Sequence, residues 1–317
     1  MDAAGFLADL ELIPDHLRLL SRRLWRTDPW VAVRDSPHLL LTGMGSSAYA
    51  ARTAAGWLRH SGLSVVEEIA SLEPGMVGGA DTTAVLVSAT GGSVETLHRR
   101  SRLADTTGTV ALTNVPESML AADCGMTVLM EAGVEVGGVA CRTYRHTLAL
   151  LLALGRPCNE IADHCEQAAE ASDLLLRERS WLDEVDDALR DGPATFWIAP
   201  ASRIGSALQS ALMIREGPRQ PAVGCETGDW SHVDVYLTAS TDYRAVMFTG
   251  SHWDGPAVEW LRRRGSTVVS VGPGPVGLPS EVHVSLDLHP LAAMLVEPLV
   301  GELLAHRWWV RNPIVVD

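Results

Sequence analysis

Short apolar runs in the first half of the chain return in the same order in the second half, and this repetition constrains the fold more than any other feature. Arg34-Asp35-Ser36-Pro37 precedes the run HLLLTG, and Arg190-Asp191-Gly192-Pro193 precedes ATFWIAP, 156 positions later. TAVLVS at 83–88 is echoed by RAVMFTG at 244–250, and GTVALTN at 108–114 by STVVSVG at 266–272. The fourth run, 126–130, has its partner at 281–286. Runs of this length separated by helical patterns predict strands of a parallel sheet joined by right-handed crossovers. A further run at 63–67 is expected to add an edge or second strand. Chance similarity among α/β segments is the competing reading, but four matches in order at nearly constant spacing favour a duplicated α/β unit. The expected fold class is therefore α/β: two tandem subdomains, each a parallel sheet flanked by helices in three αβα layers, flavodoxin-like.

The expected organisation is an N-terminal helical segment over 1–30, a first subdomain over 31–157, a connecting helix over 158–187 and a second subdomain over 188–317. Between 160 and 187 there is neither glycine nor proline, which predicts a packed helix rather than a loose linker. Glu160 and His164 lie four apart there, but no third ligand is near, so a solvated helix face is expected and no metal.

A net charge of −14 disfavours nucleic acid and anionic membrane as partners, while backbone amides and hydroxyls still allow a small anionic ligand. The N-terminus lacks the basic start and apolar run of a signal peptide, and the apolar stretch around 148–154 is too short to cross a bilayer, so a cytoplasmic protein is expected. Five cysteines without a CxxC pair suit buried reduced thiols. All 25 basic residues are arginine, which excludes a substrate Schiff base on lysine.

Two loops rich in glycine and hydroxyl groups leave first-half strands and open helices: Thr42-Gly43-Met44-Gly45-Ser46-Ser47-Ala48 and Ser88-Ala89-Thr90-Gly91-Gly92-Ser93-Val94. In a parallel sheet both emerge at the carboxyl edge, where ligands collect. Glycine permits close backbone approach, free helix-start amides bind an anion and the hydroxyls complete its shell, so one phosphate site built from both loops is expected. Tight turns with capping serines are the plain alternative. A dinucleotide site is another, because Gly43-x-Gly45-x-x-Ala48 fits the relaxed glycine fingerprint with Glu67 or Glu68 at the distance of a ribose hydroxyl.

Taken in order, these motifs resemble the sugar-isomerase-domain family, in particular the isomerase half of glucosamine-6-phosphate synthase and its stand-alone phosphosugar isomerase and deaminase relatives. The resemblance spans nearly the whole chain. It covers Gly45-Ser46-Ser47, then 88–93, the pair Thr113-Asn114, Ser118-Met119-Leu120 and the stretch 132–137. It implies that Gly45, Ser46, Ser47, Ser88, Thr90, Gly91 and Ser93 bind the substrate phosphate, and it makes Glu135 and Gly138 candidate sugar contacts; Trp230 is a further candidate because it lies beside His232 in the sequence. In the second half, the helix Ala207 to Glu216 fits the family's catalytic helix, which implies that Glu216 moves a proton between C1 and C2. Gly228-Asp229-Trp230-Ser231-His232 fits the motif whose histidine assists ring opening, often across a dimer interface. A carboxylate and an imidazole suit these two tasks near neutral pH.

The chain departs from the family pattern at Ala89 and Gly92, at Val233-Asp234 after the histidine, and at its C-terminus, where 311–317 holds no lysine. Asp2 stands where the synthase has a nucleophilic cysteine, so a complete glutamine amidotransferase is not expected. The implied function is a phosphosugar isomerase or amino-sugar-phosphate deaminase or deglycase on a hexose 6-phosphate derivative, with no cofactor. The implied assembly is a homodimer or larger with His232 near the interface. A non-catalytic sugar-phosphate sensor is the alternative, and a dinucleotide-dependent enzyme a further one.

Overall fold

The computed structural model describes residues 1–312, and in it the apolar runs form two five-stranded parallel sheets. The first contains β1 (His38–Gly43), β2 (Ser64–Ile69), β3 (Thr82–Val87), β4 (Gly108–Thr113) and β5 (Met126–Leu129), in the order β2-β1-β3-β4-β5. The second contains β6 (Thr195–Ala199), β7 (Ala222–Glu226), β8 (Arg244–Phe248), β9 (Thr267–Gly272) and β10 (Glu281–Ser285), in the order β7-β6-β8-β9-β10. The two sheets thus share one connection order, with the second strand of each at an edge. Every residue of β3 and β6 is buried, as expected of central strands covered by helices on both faces. The run at 63–67 is the edge strand β2, whose Glu67 and Glu68 give it the charged character that protects an exposed edge.

Two compact units hold these sheets. One comprises Asp15–Val134 and Ala140–Glu166 and carries the first sheet; the other comprises Met1–Pro14, Glu135–Val139 and Gln167–Asp317 and carries the second. Segment 135–139 joins the second-sheet unit through the helix Ala3–Glu11. The Asp2 N–H donates to the Gly137 carbonyl at 3.1 Å, and the Gly137 N–H donates to the buried Asp9 carboxylate at 2.7 Å. A Cβ on Gly137 would lie 2.5 Å from the Phe6 backbone, so only glycine fits. The expected single helix over 158–187 is two, Cys158–Arg177 and Ser180–Leu189. Arg179 folds back onto the Leu176 carbonyl at the break, and the second helix takes a new axis that packs Leu182, Val185 and Leu189 near β8, β9 and β10. That tertiary demand left no glycine or proline as a sequence signal.

Glu160, on the first of these helices, is paired to Arg156 at 2.6 Å. Among the described residues no cluster of metal-ligating side chains occurs, and no helix is long and apolar enough to cross a membrane. All five cysteines are free thiols, and burial pushes Cys165 up to about 12.

Beneath the loop after β6, the second-sheet unit contains a buried ion pair. Arg203 donates from Nε to Glu297 at 3.0 Å and from Nη2 to the Thr249 carbonyl, and Ser206 Oγ also donates to Glu297. Removing one partner of such a pair leaves an uncompensated charge, whereas replacing both with apolar groups does not. Arg203→Ala is therefore expected to lower unfolding free energy by about 3–5 kcal/mol. The pair Arg203→Met with Glu297→Leu should recover most of that loss in urea denaturation.

Candidate functional site

β1 and β3 are paired in parallel with Gly43 opposite Val87, so the two glycine- and hydroxyl-rich loops leave adjacent strands at one sheet edge. Both lie in the first-sheet unit. At the first loop, a Cβ on Gly43 would fall 2.9 Å from Ser47 Cβ and 3.0 Å from the Val87 carbonyl, so glycine is required for the close approach. Gly45 then stands at the N-cap of the helix Ser46–His60 with φ +52°, and no side chain caps that helix. A 15-residue helix with an uncapped start presents partial positive charge there, beside the half-buried Ser46 and Ser47.

The second loop is held from behind. Thr113 Oγ1 and the Asn114 N–H both donate to the Ala89 carbonyl, at 3.2 and 3.0 Å, and the Leu120 N–H donates to the Gly91 carbonyl at 3.0 Å. Because the peptide unit is planar and trans, pinning the Ala89 carbonyl on that side turns the Thr90 N–H to the other. Gly91 has φ +64°, and a Cβ on it would lie 2.1 Å from Ser118 Oγ, so both its conformation and its contact demand glycine. Asn114 also spans to the next loop, donating to the Gly133 carbonyl at 2.6 Å and accepting from the Ala132 N–H at 2.9 Å.

The loop hydroxyls differ in what they do. Ser93 Oγ caps the helix Val94–Ser101, accepting from the Thr96 N–H at 3.4 Å and donating to Glu95 at 3.0 Å. Thr90 is exposed, and its Oγ1 accepts from the Gly92 N–H at 3.3 Å. Ser88 is buried, with Oγ 3.5 Å from the Ser93 N–H. The first-sheet unit thus brings together Gly45, Ser46, Ser47, Ser88, Thr90, Gly91 and Ser93 at one edge. Thr113, Asn114 and Ser118 supply the scaffold; they belong to the quoted motif but were not counted among the site residues, because a backing role leaves no chemical signature in sequence.

Glu216, His232, Trp230, Glu135 and Gly138 all lie in the second-sheet unit. Glu216 is the last residue of the helix Ile204–Glu216, whose close approach to β7 depends on Gly224: a Cβ there would lie 2.8 Å from the Ala207 carbonyl. Burial raises the Glu216 carboxyl above the ordinary range, and the neighbouring Arg215 offsets this only in part. His232 is exposed, its N–H bonded to the Asp229 carbonyl at 2.9 Å. A helix that follows β6 starts at the carboxyl edge of the sheet and ends at the amino edge, so Glu216 and His232 sit at opposite ends of the five-residue β7, about 15 Å along the strand. Within one copy of the unit they are not brought together.

Trp230 requires a correction. It is fully buried in the apolar cluster with Phe196, Val235 and Tyr243, and its Nε1–H donates to the Tyr243 hydroxyl at 2.7 Å. The ring is core, with no face left for a sugar. Gly138 is exposed at φ +71°, and Glu135, half-buried, accepts its N–H at 3.3 Å. The C-terminal segment 313–317 lies outside the described residues.

The chain is 26% identical over 227 residues to the glutamine–fructose-6-phosphate aminotransferase (isomerizing) of Methanothermobacter thermautotrophicus, a match covering 69% of this chain and 38% of that protein. Its backbone matches the C-terminal domain of glucosamine-fructose-6-phosphate aminotransferase from Francisella tularensis with a TM-score of 0.82 at 17% identity, over 99% of this chain and 97% of that one. In both sequence and fold the chain resembles the sugar-isomerase-domain family. The tagatose-6-phosphate ketose/aldose isomerase of Escherichia coli is similar at TM-score 0.81 and 14% identity, over 100% of this chain and 97% of that one. The glucosamine-6-phosphate deaminase of Thermotoga maritima follows at 0.72 and 18%, over 98% and 95%. No family model matches the chain. It spans less than half the length of the aminotransferase it resembles in sequence.

Gly91→Ala should be costly for the loop alone: strain at positive φ contributes about 1–3 kcal/mol. The clash with Ser118 adds to it, so the melting temperature is expected to fall. Gly91→Ala with Ser118→Gly, which removes both the Oγ and the Cβ that lie 2.1 and 2.2 Å from the added methyl, should regain part of the loss.

Proposed function

We propose that this chain is a phosphosugar isomerase, or an amino-sugar-phosphate deaminase or deglycase, that moves a proton between C1 and C2 of a hexose 6-phosphate derivative. The observation that carries the reading is that two glycine- and hydroxyl-rich loops leave the adjacent strands β1 and β3 at one sheet edge, one opening a 15-residue helix with no side-chain cap, the other with its Ala89 and Gly91 carbonyls taken up by Thr113, Asn114 and Leu120. An anion is the ligand this arrangement suits. Gly45, Ser46, Ser47, Ser88, Thr90, Gly91 and Ser93 hold the phosphate. Glu216 acts as the base that takes the proton from one carbon and returns it to the next through an enediol. Desolvation makes its carboxylate a stronger base than an exposed one, which favours this step. Glu135 and Gly138 are kept as candidate sugar contacts.

His232 assists ring opening from a second copy of the chain. The separation of Glu216 and His232 along β7 supports this, because one copy of the unit cannot place both on one sugar. The exposed Val233 and Tyr236 beside His232 are the surface such a homodimer would cover. The dinucleotide reading is weakened by Glu68, whose carboxylate is engaged by Arg99 at 2.6 Å and by the Met76 N–H at 3.0 Å and is not free for a ribose. A non-catalytic sugar-phosphate sensor is the second reading, favoured by the absence of lysine from the whole sequence.

Proton exchange followed by NMR in deuterated water, with fructose 6-phosphate, glucosamine 6-phosphate and a fructosamine phosphate in turn, separates these readings. Deuterium should enter C1 or C2 with one of them, and Glu216→Gln should abolish entry while leaving ligand affinity nearly intact. Ligand broadening with no exchange identifies the sensor. Ser88→Ala is expected to weaken sugar-phosphate binding by about 1–3 kcal/mol, the loss of a hydrogen bond to a charged group. The base form of Glu216 is lost as pH falls through its raised pKa, so the acid limb of the exchange-rate profile should lie above the ~4.3 of an ordinary glutamate. If His232 works across an interface, Glu216→Gln and His232→Ala chains co-expressed should form mixed dimers with one intact site and regain about a quarter of wild-type exchange. His232→Ala chains that exchange like wild type on their own would place His232 outside the site.

A further inference from the structure

A pocket lined by none of the candidate phosphate-loop residues opens in the first-sheet unit. It is a cavity of about 520 Å³ between the segment that follows β2 and the end of the helix Val94–Ser101. That volume lies within the range of small-molecule sites. Ala70, Leu72 and Val77 give it an aliphatic wall; Arg99 and Arg102, with His98 beside them, give it a cationic one.

Arg99 is built into this wall. Its side chain is almost wholly buried, and Nη2 donates to Glu68 at 2.6 Å and to the Met76 carbonyl at 2.5 Å, which fixes the guanidinium plane. The chain lies flat on that plane at Gly75, where a Cβ would fall 2.7 Å from Arg99 Cζ. Arg99 Nε is nevertheless buried without a hydrogen-bond partner. An orphaned N–H on a buried cation is costly, and a ligand oxygen is the simplest group to relieve it.

Charge supports an anion. Glu68 balances Arg99, and Glu73 pairs with His98 at 3.1 Å at the rim. Arg102 is exposed and makes no ion pair among the described residues, so its guanidinium is available to an anion on a chain of net charge −14. A helix C-terminus attracts cations by its dipole, and that accounts for Arg100, which donates to the Asp123 carbonyl. It does not account for the buried Arg99 guanidinium, which lines the cavity and leaves its Nε–H unpartnered.

We propose that this pocket binds a small organic anion, a carboxylate or phosphate monoester carrying a short aliphatic body. The anion meets Arg102 and the Arg99 guanidinium, and the body lies on Leu72 and Val77. The site is distinct from the candidate phosphate loops but continuous with both: the Ala70 N–H donates to the Gly43 carbonyl at 3.0 Å, and Arg99 lies on the helix that Ser93 caps. The proposal does not depend on the isomerase reading.

Nitrogen-15 NMR of the arginine Nε–H groups tests it on the full chain, because a buried Nε–H exchanges slowly enough to observe. Sodium succinate, inorganic phosphate and neutral 1,4-butanediol are titrated into wild type, Arg102→Gln and Ser88→Ala. Succinate or phosphate should move the Arg99 Nε–H signal saturably in wild type and equally in Ser88→Ala. Arg102→Gln, an exposed change that spares the core, should weaken that binding about tenfold, the loss of one charge-assisted contact. The ratio of succinate to phosphate affinity then identifies which anion class the pocket prefers. The proposal is overturned if neither anion shifts the signal, if butanediol shifts it as much, if Arg102→Gln binds like wild type, or if Ser88→Ala abolishes the response. The last result would put the anion in the phosphate loops instead. Failure of the isomerase reading shows separately, as absence of deuterium exchange.

Discussion

Parallel pairing of β1 with β3 is the constraint on which the rest of the first-sheet unit depends. With Gly43 opposite Val87, two loops that are 45 residues apart in sequence leave the sheet side by side. A parallel sheet sends every strand's carboxyl end to one edge, so residues for a single ligand can come from loops far apart in the chain. Each loop then opens a helix whose first amides are unsatisfied by the helix itself. The same rule acts in the second-sheet unit with the opposite result. A helix between parallel strands must run back, so the carboxylate at its end and the imidazole beyond β7 are separated by the length of the strand.

Neither loop is rigid by virtue of its own composition, since glycine and serine favour freedom. The order comes from contacts that face away from the ligand side. Thr113, Asn114 and Leu120 take up the carbonyls of Ala89 and Gly91, and Ser118 packs where a side chain on Gly91 would have to be. The chain's excess of acidic residues is a property of the whole sequence and does not by itself fix the local field at these loops, to which backbone amides and helix starts also contribute. Where cationic side chains are used, they are guanidiniums, which keep their charge on burial and stay fixed by fork-like hydrogen bonds. Arg203 on Glu297 and Arg99 on Glu68 are both of this kind.

Strand positions were legible because a fully buried parallel strand must be an unbroken apolar run, and such runs are visible in a single sequence. The loops were legible because the glycines with positive φ, Gly45 and Gly91, are required by local backbone geometry. Trp230 shows the opposite: two positions from the exposed His232, it ends the short helix Thr227–Trp230 and its side chain points into the core. The break before Ser180 was not legible either, since it follows from where the second sheet lies and no residue there is a helix breaker. The assignment of 135–139 to the second-sheet unit rests on a buried carboxylate, Asp9, meeting an amide 128 positions away.

By itself, then, the sequence determined what is local: which segments are strands, where the backbone needs glycine, which loops carry hydroxyls, and that lysine chemistry is absent. The tertiary structure decided what depends on pairs of residues distant along the chain. It set which carbonyls of the second loop are turned away, which arginine keeps an unused N–H beside a cavity, whether an indole is surface or core, and on which edge of a sheet a carboxylate emerges. The physical reason is that propensity, periodicity and positive φ are properties of a few consecutive residues. Burial and hydrogen-bond partnership exist only once two remote stretches have been packed against each other.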